Sequence, residues 1–140
     1  MSLTEMPGHL IRRLHQISTH IFQQKMQESG HEITPVQYAT LEALQKNPGI
    51  EQAQIASIIG YDRATIGGVI DRLEQKGFII RNVSKKDRRA REVSLSREGK
   101  DIYAETAPIV KALQNDIFGS LNEGEQKKLT ALLQKAILGK

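Results

Sequence analysis

The sequence contains no cysteine and no tryptophan, and only 4% of its 140 residues are aromatic. Without cysteine there is no disulfide scaffold, no thiolate zinc site and no sensor that works by thiol oxidation. The same absence accords with a reducing compartment. With so few rings, any core must be built mostly from Leu, Ile, Val and Ala, which the apolar fraction of 39% can supply. No apolar run approaches the ~20 residues of a membrane span. The opening residues MSLTEMPGHL lack a charged segment followed by an apolar one, so no secretion signal is expected. The expectation is a cytoplasmic protein that does not engage a membrane. Paired-carboxylate motifs, a nucleophile elbow, a phosphate loop and metal signatures are also missing, which argues against an enzyme and against a bound cofactor or metal.

What is present is positive charge, concentrated in one place. The chain carries a net +4. Residues 81–97 hold seven cations (Arg81, Lys85, Lys86, Arg88, Arg89, Arg91 and Arg97) against Asp87 and Glu92, a local charge of +5, so the remainder sums to −1. A localised basic patch is the footprint of a polyanion partner. A charge run alone is usually a solvated or disordered segment, but this one passes into Val93-Ser94-Leu95 with period-two alternation and then into a helix start at Ser96.

Along the chain, Pro7 opens a helix that carries Leu10, Leu14, Ile17 and Ile21 at helical spacing and stops at Gly30. Thr34 caps a second helix with Pro35 at its first position, ending at Asn47-Pro48-Gly49. Ile50 reads as a short extended link. A short helix over residues 51–59, a turn at Gly60-Tyr61 and a third helix capped by Asp62 and closed by Gly77 are the elements of a helix-turn-helix. Phe78-Ile79-Ile80 and residues 91–95 form the two strands of a hairpin with a cationic tip. The expected fold is mainly α with a small β-hairpin: a winged helix-turn-helix over residues 34–99, with helical dimerisation extensions at residues 1–33 and 100–140. In the last of these, Ser96 caps a long helix with Pro108 inside it and a kink expected near Ala104 to Ala107, and Asn122 with Glu125 starts a final helix. The apolar stripes of the terminal helices are too few to cover one another and are expected to meet a second subunit.

Two stretches, VIDRLEQKGFI at 69–79 and DRRAREVSLSREG at 87–99, resemble the recognition-helix end and wing signature of the MarR family of bacterial transcription regulators, and the resemblance extends over about residues 10–138. It implies a homodimer that binds a pseudo-palindromic operator in double-stranded DNA, usually as a repressor relieved by a small molecule. On the outward side of the third helix lie Arg63, Thr65, Gly67 and Gly68. The N-terminal part of a recognition helix meets base edges in the major groove, and the fork of Arg63 suits the two acceptors of a guanine. Two adjacent glycines inside a helix cost roughly 2 kcal/mol relative to alanine. They are read either as close approach to DNA or as close packing on another helix, and they depart from the larger polar side chains common at this place in the family. By resemblance, Arg72 contacts phosphate or forms an ion pair, and Asp87 orients Arg89 toward the minor groove, where the potential favours arginine. Lys85, Lys86, Arg88 and Arg91 supply phosphate contacts.

The first helix carries a polar set, Arg12, Arg13, His15, Gln16, Thr19 and His20. Arg13-Leu14-His15-Gln16 resembles a basic-x-His pattern in family members that respond to aromatic acids, and residues 62–68 resemble regulators of hydroxycinnamate catabolism. The resemblance implies a small aromatic acid effector, with Arg13 pairing its carboxylate and His15, Gln16, Thr19 and Tyr38 orienting the ring. Two other readings stand beside it: a metal-responsive regulator using His9, His15, His20 and His31, and an architectural DNA binder without a ligand. His15 and His20 lie about 140° apart on a helix, which argues against a metal site within that helix alone.

Overall fold

Pro7 occupies the first turn of a helix, where its missing N–H costs nothing. From there α1 (Pro7–Glu28) runs for 22 residues. Only its C-terminal end is anchored within the protomer, through buried Phe22 and Met26, while Leu10, Ile11 and Ile17 remain 46%, 55% and 44% exposed. This computed structural model describes all 140 residues. Before α1 there is one 3₁₀ turn, Leu3–Glu5. After it, α2 (Pro35–Lys46) opens on a reciprocal cap: the Gln37 N–H donates to Thr34 Oγ1 and the Thr34 N–H donates to Gln37 Oε1, both at 3.2 Å.

The link at Ile50 is itself a strand. β1 (Ile50–Glu51) places Ile50 opposite Val93. α3 (Gln52–Ile59) ends on Gly60, whose φ of +76° only glycine adopts without strain. α4 (Arg63–Gln75) follows. β2 (Ile79–Val83) and β3 (Arg91–Leu95) pair antiparallel, with Arg81 opposite Val93. The expected two-stranded hairpin is therefore a three-stranded sheet in the order β1-β3-β2. Its outer strand starts at Ile79 and runs on to Val83, because the ladder continues past the apolar residues as far as Arg91.

α5 (Arg97–Ile117) is capped by Ser96, whose Oγ accepts from the Gly99 N–H at 3.0 Å and donates to the Gly77 carbonyl at 2.6 Å. The α-helix is continuous through Pro108, so the residue expected to bend it does not interrupt it. α6 (Glu123–Leu138) begins with the Asn122–Glu125 capping box and has no buried residue. One buried cluster joins the elements: Leu41 and Leu44 of α2, Ile55 of α3, Ile66, Ile70 and Leu73 of α4, Val93 of β3, and Phe22, Met26 and Leu113 from the terminal helices. The helix-turn-helix and the base of the terminal helices thus share a single core, while the distal parts of α1 and α6 stand outside it.

Candidate nucleic-acid interface and effector groove

The start of α4 is fixed by its cap. Asp62 Oδ1 accepts from the Thr65 N–H at 2.7 Å and Oδ2 from the Thr65 hydroxyl at 2.8 Å. These bonds, the backbone one first, hold the Asp62 carboxyl below its ordinary range. They also commit the Thr65 hydroxyl proton to the cap. Arg63, Gly68 and Thr65 are exposed, and Ile66 and Ile70 point into the core. Nothing lies within 4 Å of where a Gly68 Cβ would stand, and a Gly67 Cβ would make only an ordinary contact, 3.8 Å from Gln52 Nε2. Internal packing therefore demands neither glycine.

The wing tip is ordered by a residue outside the expected set, Ser84. Although polar, it is only 3% exposed. Its Oγ accepts from the N–H groups of Lys86 and Asp87 at 3.2 and 3.4 Å, and its own N–H donates to the Ala90 carbonyl at 3.1 Å. Within this turn Asp87 Oδ1 accepts from the Arg89 N–H at 2.9 Å and lies 3.7 Å from Arg89 Nε. The Arg89 side chain is 95% exposed. An ion pair this open adds little stability, and the Arg89 guanidinium stands in solvent. Arg91 Nη1 donates to the Arg88 carbonyl at 3.2 Å, bracing the other side of the tip.

Arg63 from α4 and Arg89 and Arg91 from the wing border one cleft of about 260 Å³, closed by Ala90 and by Glu51, Gln52 and Ala53 at the start of α3. The recognition helix and the wing thus border a common space with three arginines. Arg72 is not among them. It borders a separate groove of about 550 Å³ with His31, Gln37 and Lys76, between the end of α1 and the end of α4. There Lys76 Nζ donates to the Glu32 carbonyl and to Gln37 Oε1, and burial pulls its pKa down. Lys85, Lys86 and Arg88 are exposed around the tip. Arg81, the first cation of the basic run, turns inward to carboxylates of α4.

The sequence profile of the MarR family matches residues 33–90. Over 135 residues the chain is 33% identical to the HTH-type transcriptional repressor NicR of Pseudomonas putida, covering 96% of this chain and 84% of that protein. The chain belongs to the MarR family. Its fold is that of BpsR of Bordetella bronchiseptica, whose DNA binding is regulated by 6-hydroxynicotinic acid: TM-score 0.90, 30% identity, 97% of this chain and 96% of that one. PcaV of Streptomyces coelicolor, in complex with its natural ligand, superposes with a TM-score of 0.89 at 28% identity, over 98% of this chain and 95% of that one. This MarR-family chain is accordingly a DNA-binding transcriptional regulator and not an enzyme, and none of its helices is long and apolar enough to cross a membrane.

The residues expected to hold an effector fall into two places. His15, Gln16 and Thr19 line a shallow groove of about 490 Å³ on α1, together with Arg12, His20 and Gln23. His15 and His20 border the same groove despite their angular separation, because it is broad enough to span both. Arg13 is exposed and is not part of this lining; Arg12 takes that place. Tyr38 belongs instead to an aromatic layer, stacked on Tyr103 of α5 at 5.8 Å and 19° and tilted at 60° to Phe22 of α1 at 6.4 Å. Burial, first among the causes, pushes the Tyr38 phenol up to about 12, so it is a neutral donor at any physiological pH.

Proposed function

We propose that the chain is a homodimeric repressor that binds a pseudo-palindromic operator and is released by a small aromatic acid. The observation that carries the DNA part is the cleft that brings Arg63 together with Arg89 and Arg91. In this reading Arg63, Thr65, Gly67 and Gly68 meet the major groove, and Arg89, oriented by Asp87, enters the minor groove. Lys85, Lys86, Arg88 and Arg91 contact phosphates. Arg72, set apart from the cleft, reaches the flanking backbone. Residues 34–99 form the DNA-binding unit, and residues 1–33 and 100–140 pair the subunits. Exposed Leu10, Ile11 and Ile17 on α1 and Leu132, Ile137 and Leu138 on α6 support that pairing.

The effector reading is supported by the polar groove on α1, by the nearby aromatic layer, and by the similarity to BpsR, which responds to 6-hydroxynicotinic acid. One experiment tests both halves. The wild-type chain selects duplexes from a randomised pool, and its affinity for the enriched duplex is followed by fluorescence anisotropy across salt. A dimer using several of these cations shows log affinity falling with log salt with a slope of about −4 or steeper, at about 0.9 per phosphate. Adding 6-hydroxynicotinic acid or a hydroxycinnamate then releases the duplex. Enrichment of no motif points to architectural binding, and a duplex retained under every aromatic acid removes the effector.

A further inference from the structure

Arg81 stands inside the cationic run yet is not available to DNA. It lies on the same face of β2 as buried Ile79, since side chains two apart share a face. Its guanidinium reaches two other elements. Nη2 is 2.7 Å from Asp71 Oδ1 and 2.7 Å from Glu74 Oε1, Nε is 3.4 Å from Glu74 Oε2, and Nη1 donates to Gln52 Oε1 at 3.3 Å. Asp71 and Glu74 sit three residues apart on α4, and neither has another cationic partner. Gln52 is the first residue of α3, and its amide lies beside Gly67 of α4. One side chain therefore ties the outer strand of the wing to both helices of the helix-turn-helix. The Arg81 side chain is 22% exposed, so this clasp is drier than the Asp87–Arg89 pair, and a planar fork holds such an arrangement in a way that a lysine does not.

We infer that Arg81 is a positioning residue for operator recognition: it sets the wing against α4 so that both groove elements engage one duplex, without itself contacting DNA. The inference rests on the operator reading above. A protein that must lay α4 on a polyanion has reason to avoid carboxylates there. Asp71 and Glu74 stand there to hold the wing, and Arg81 offsets one of their two charges. The consequence runs against simple electrostatics. Neutralising both carboxylates makes the protein more positive and should tighten any binding governed by charge alone, whereas loss of the clasp weakens sequence-specific binding.

The test uses full-length Asp71→Asn/Glu74→Gln, with Arg81→Ala beside it, on the wild-type-selected duplex and on a scrambled duplex of equal length. Expected for the carboxamide pair is an affinity for the selected duplex about tenfold lower, with the scrambled duplex bound as well as or better than by wild type. Amide hydrogen exchange should quicken at residues 84–90 while the α2 and α3 core stays protected. Arg81→Ala should lose affinity for the selected duplex by a larger factor than for the scrambled one, because the wing is no longer held against α4. If Arg81→Ala does not fold, the carboxamide pair, which retains the Gln52 bond, decides alone. A pair that binds the selected duplex as tightly as wild type, or more tightly, overturns the inference while leaving the operator reading intact. A wild-type chain that selects no motif overturns that reading and this inference together.

Discussion

At Gly99 a single atom decides whether the wing and the long helix can meet. A Cβ there would collide with the carbonyl of Phe78, whose oxygen also accepts from the Ser96 N–H. The obstacle is backbone held in a turn, so it cannot move aside as a flexible side chain would. Gly99→Ala is expected to cost about 2 kcal/mol by overpacking and to lower the melting temperature by roughly 8 °C, read by thermal denaturation; an unchanged melting point would mean that the turn relaxes freely. Arg89→Ala should behave in the opposite way. With its side chain 95% exposed, it leaves stability unchanged while weakening operator binding about tenfold, read by fluorescence anisotropy, because a cation is lost from the negative potential of the minor groove. The glycine is visible in the wing signature, but its reason is not, because Phe78 lies 21 positions upstream and only packing brings them together. The role of Ser84 is hidden for a similar reason: a serine beside two lysines reads as solvated, and it is buried because the tip curls over it. Arg81 was legible as charge but not as a clasp, since its partners lie in other elements.

Individual elements were read from the sequence where their determinants are local. The caps at Thr34, Asp62, Ser96 and Asn122 each act over three residues, and each is present. Of β1 the sequence shows only a short extended link at Ile50, because two residues carry no periodicity and the pairing partner, Val93, lies beyond the whole helix-turn-helix. The diglycine in α4 remains a weakness of that helix with no internal packing to justify it. Gly68→Ala is expected to stabilise the free protein by about 0.8–1.0 kcal/mol and yet weaken operator binding, because the added methyl stands between helix and duplex. A variant that gains both stability and affinity would show that the glycine serves no approach to DNA. The acid limit of this region follows from two carboxyls held low, Asp62 by the Thr65 bonds and Glu74 by Arg81. Their folded values lie below the unfolded ones, so the stabilisation is complete above about pH 5 and is lost as pH falls through the lowered values. Melting temperature measured from pH 8 down to 3 should fall less steeply at the acid end in Asp62→Asn/Glu74→Gln, since asparagine still caps and neither residue then titrates.

For the molecule as a whole, the operator and the effector proposed above both call for more than one protomer offers. A single helix-turn-helix meets one half-site, and a pseudo-palindrome needs two held a helical turn apart. The groove on α1 offers the Arg12 cation and hydrogen-bonding groups but no apolar residue, while Tyr38, Tyr103 and Phe22 offer ring surface without a cation. An aromatic acid needs both kinds of surface. The same α1 leaves Leu10, Ile11 and Ile17 uncovered, and α6 buries nothing. These observations link association to both activities. Ile17→Asp/Leu132→Asp should sediment as a monomer and lose most of its affinity for the selected duplex. It should also lose the melting-point rise that a bound effector gives, about 2.7 kcal/mol of stabilisation at a hundred times its dissociation constant. Arg12→Ala and Arg13→Ala, compared as dimers in the same assay, then identify which guanidinium meets the carboxylate. The lining of the α1 groove favours Arg12, whereas the basic-x-His pattern favours Arg13. A double-aspartate variant that becomes monomeric but keeps the full effector shift would place the effector site within one subunit and confine the role of pairing to DNA.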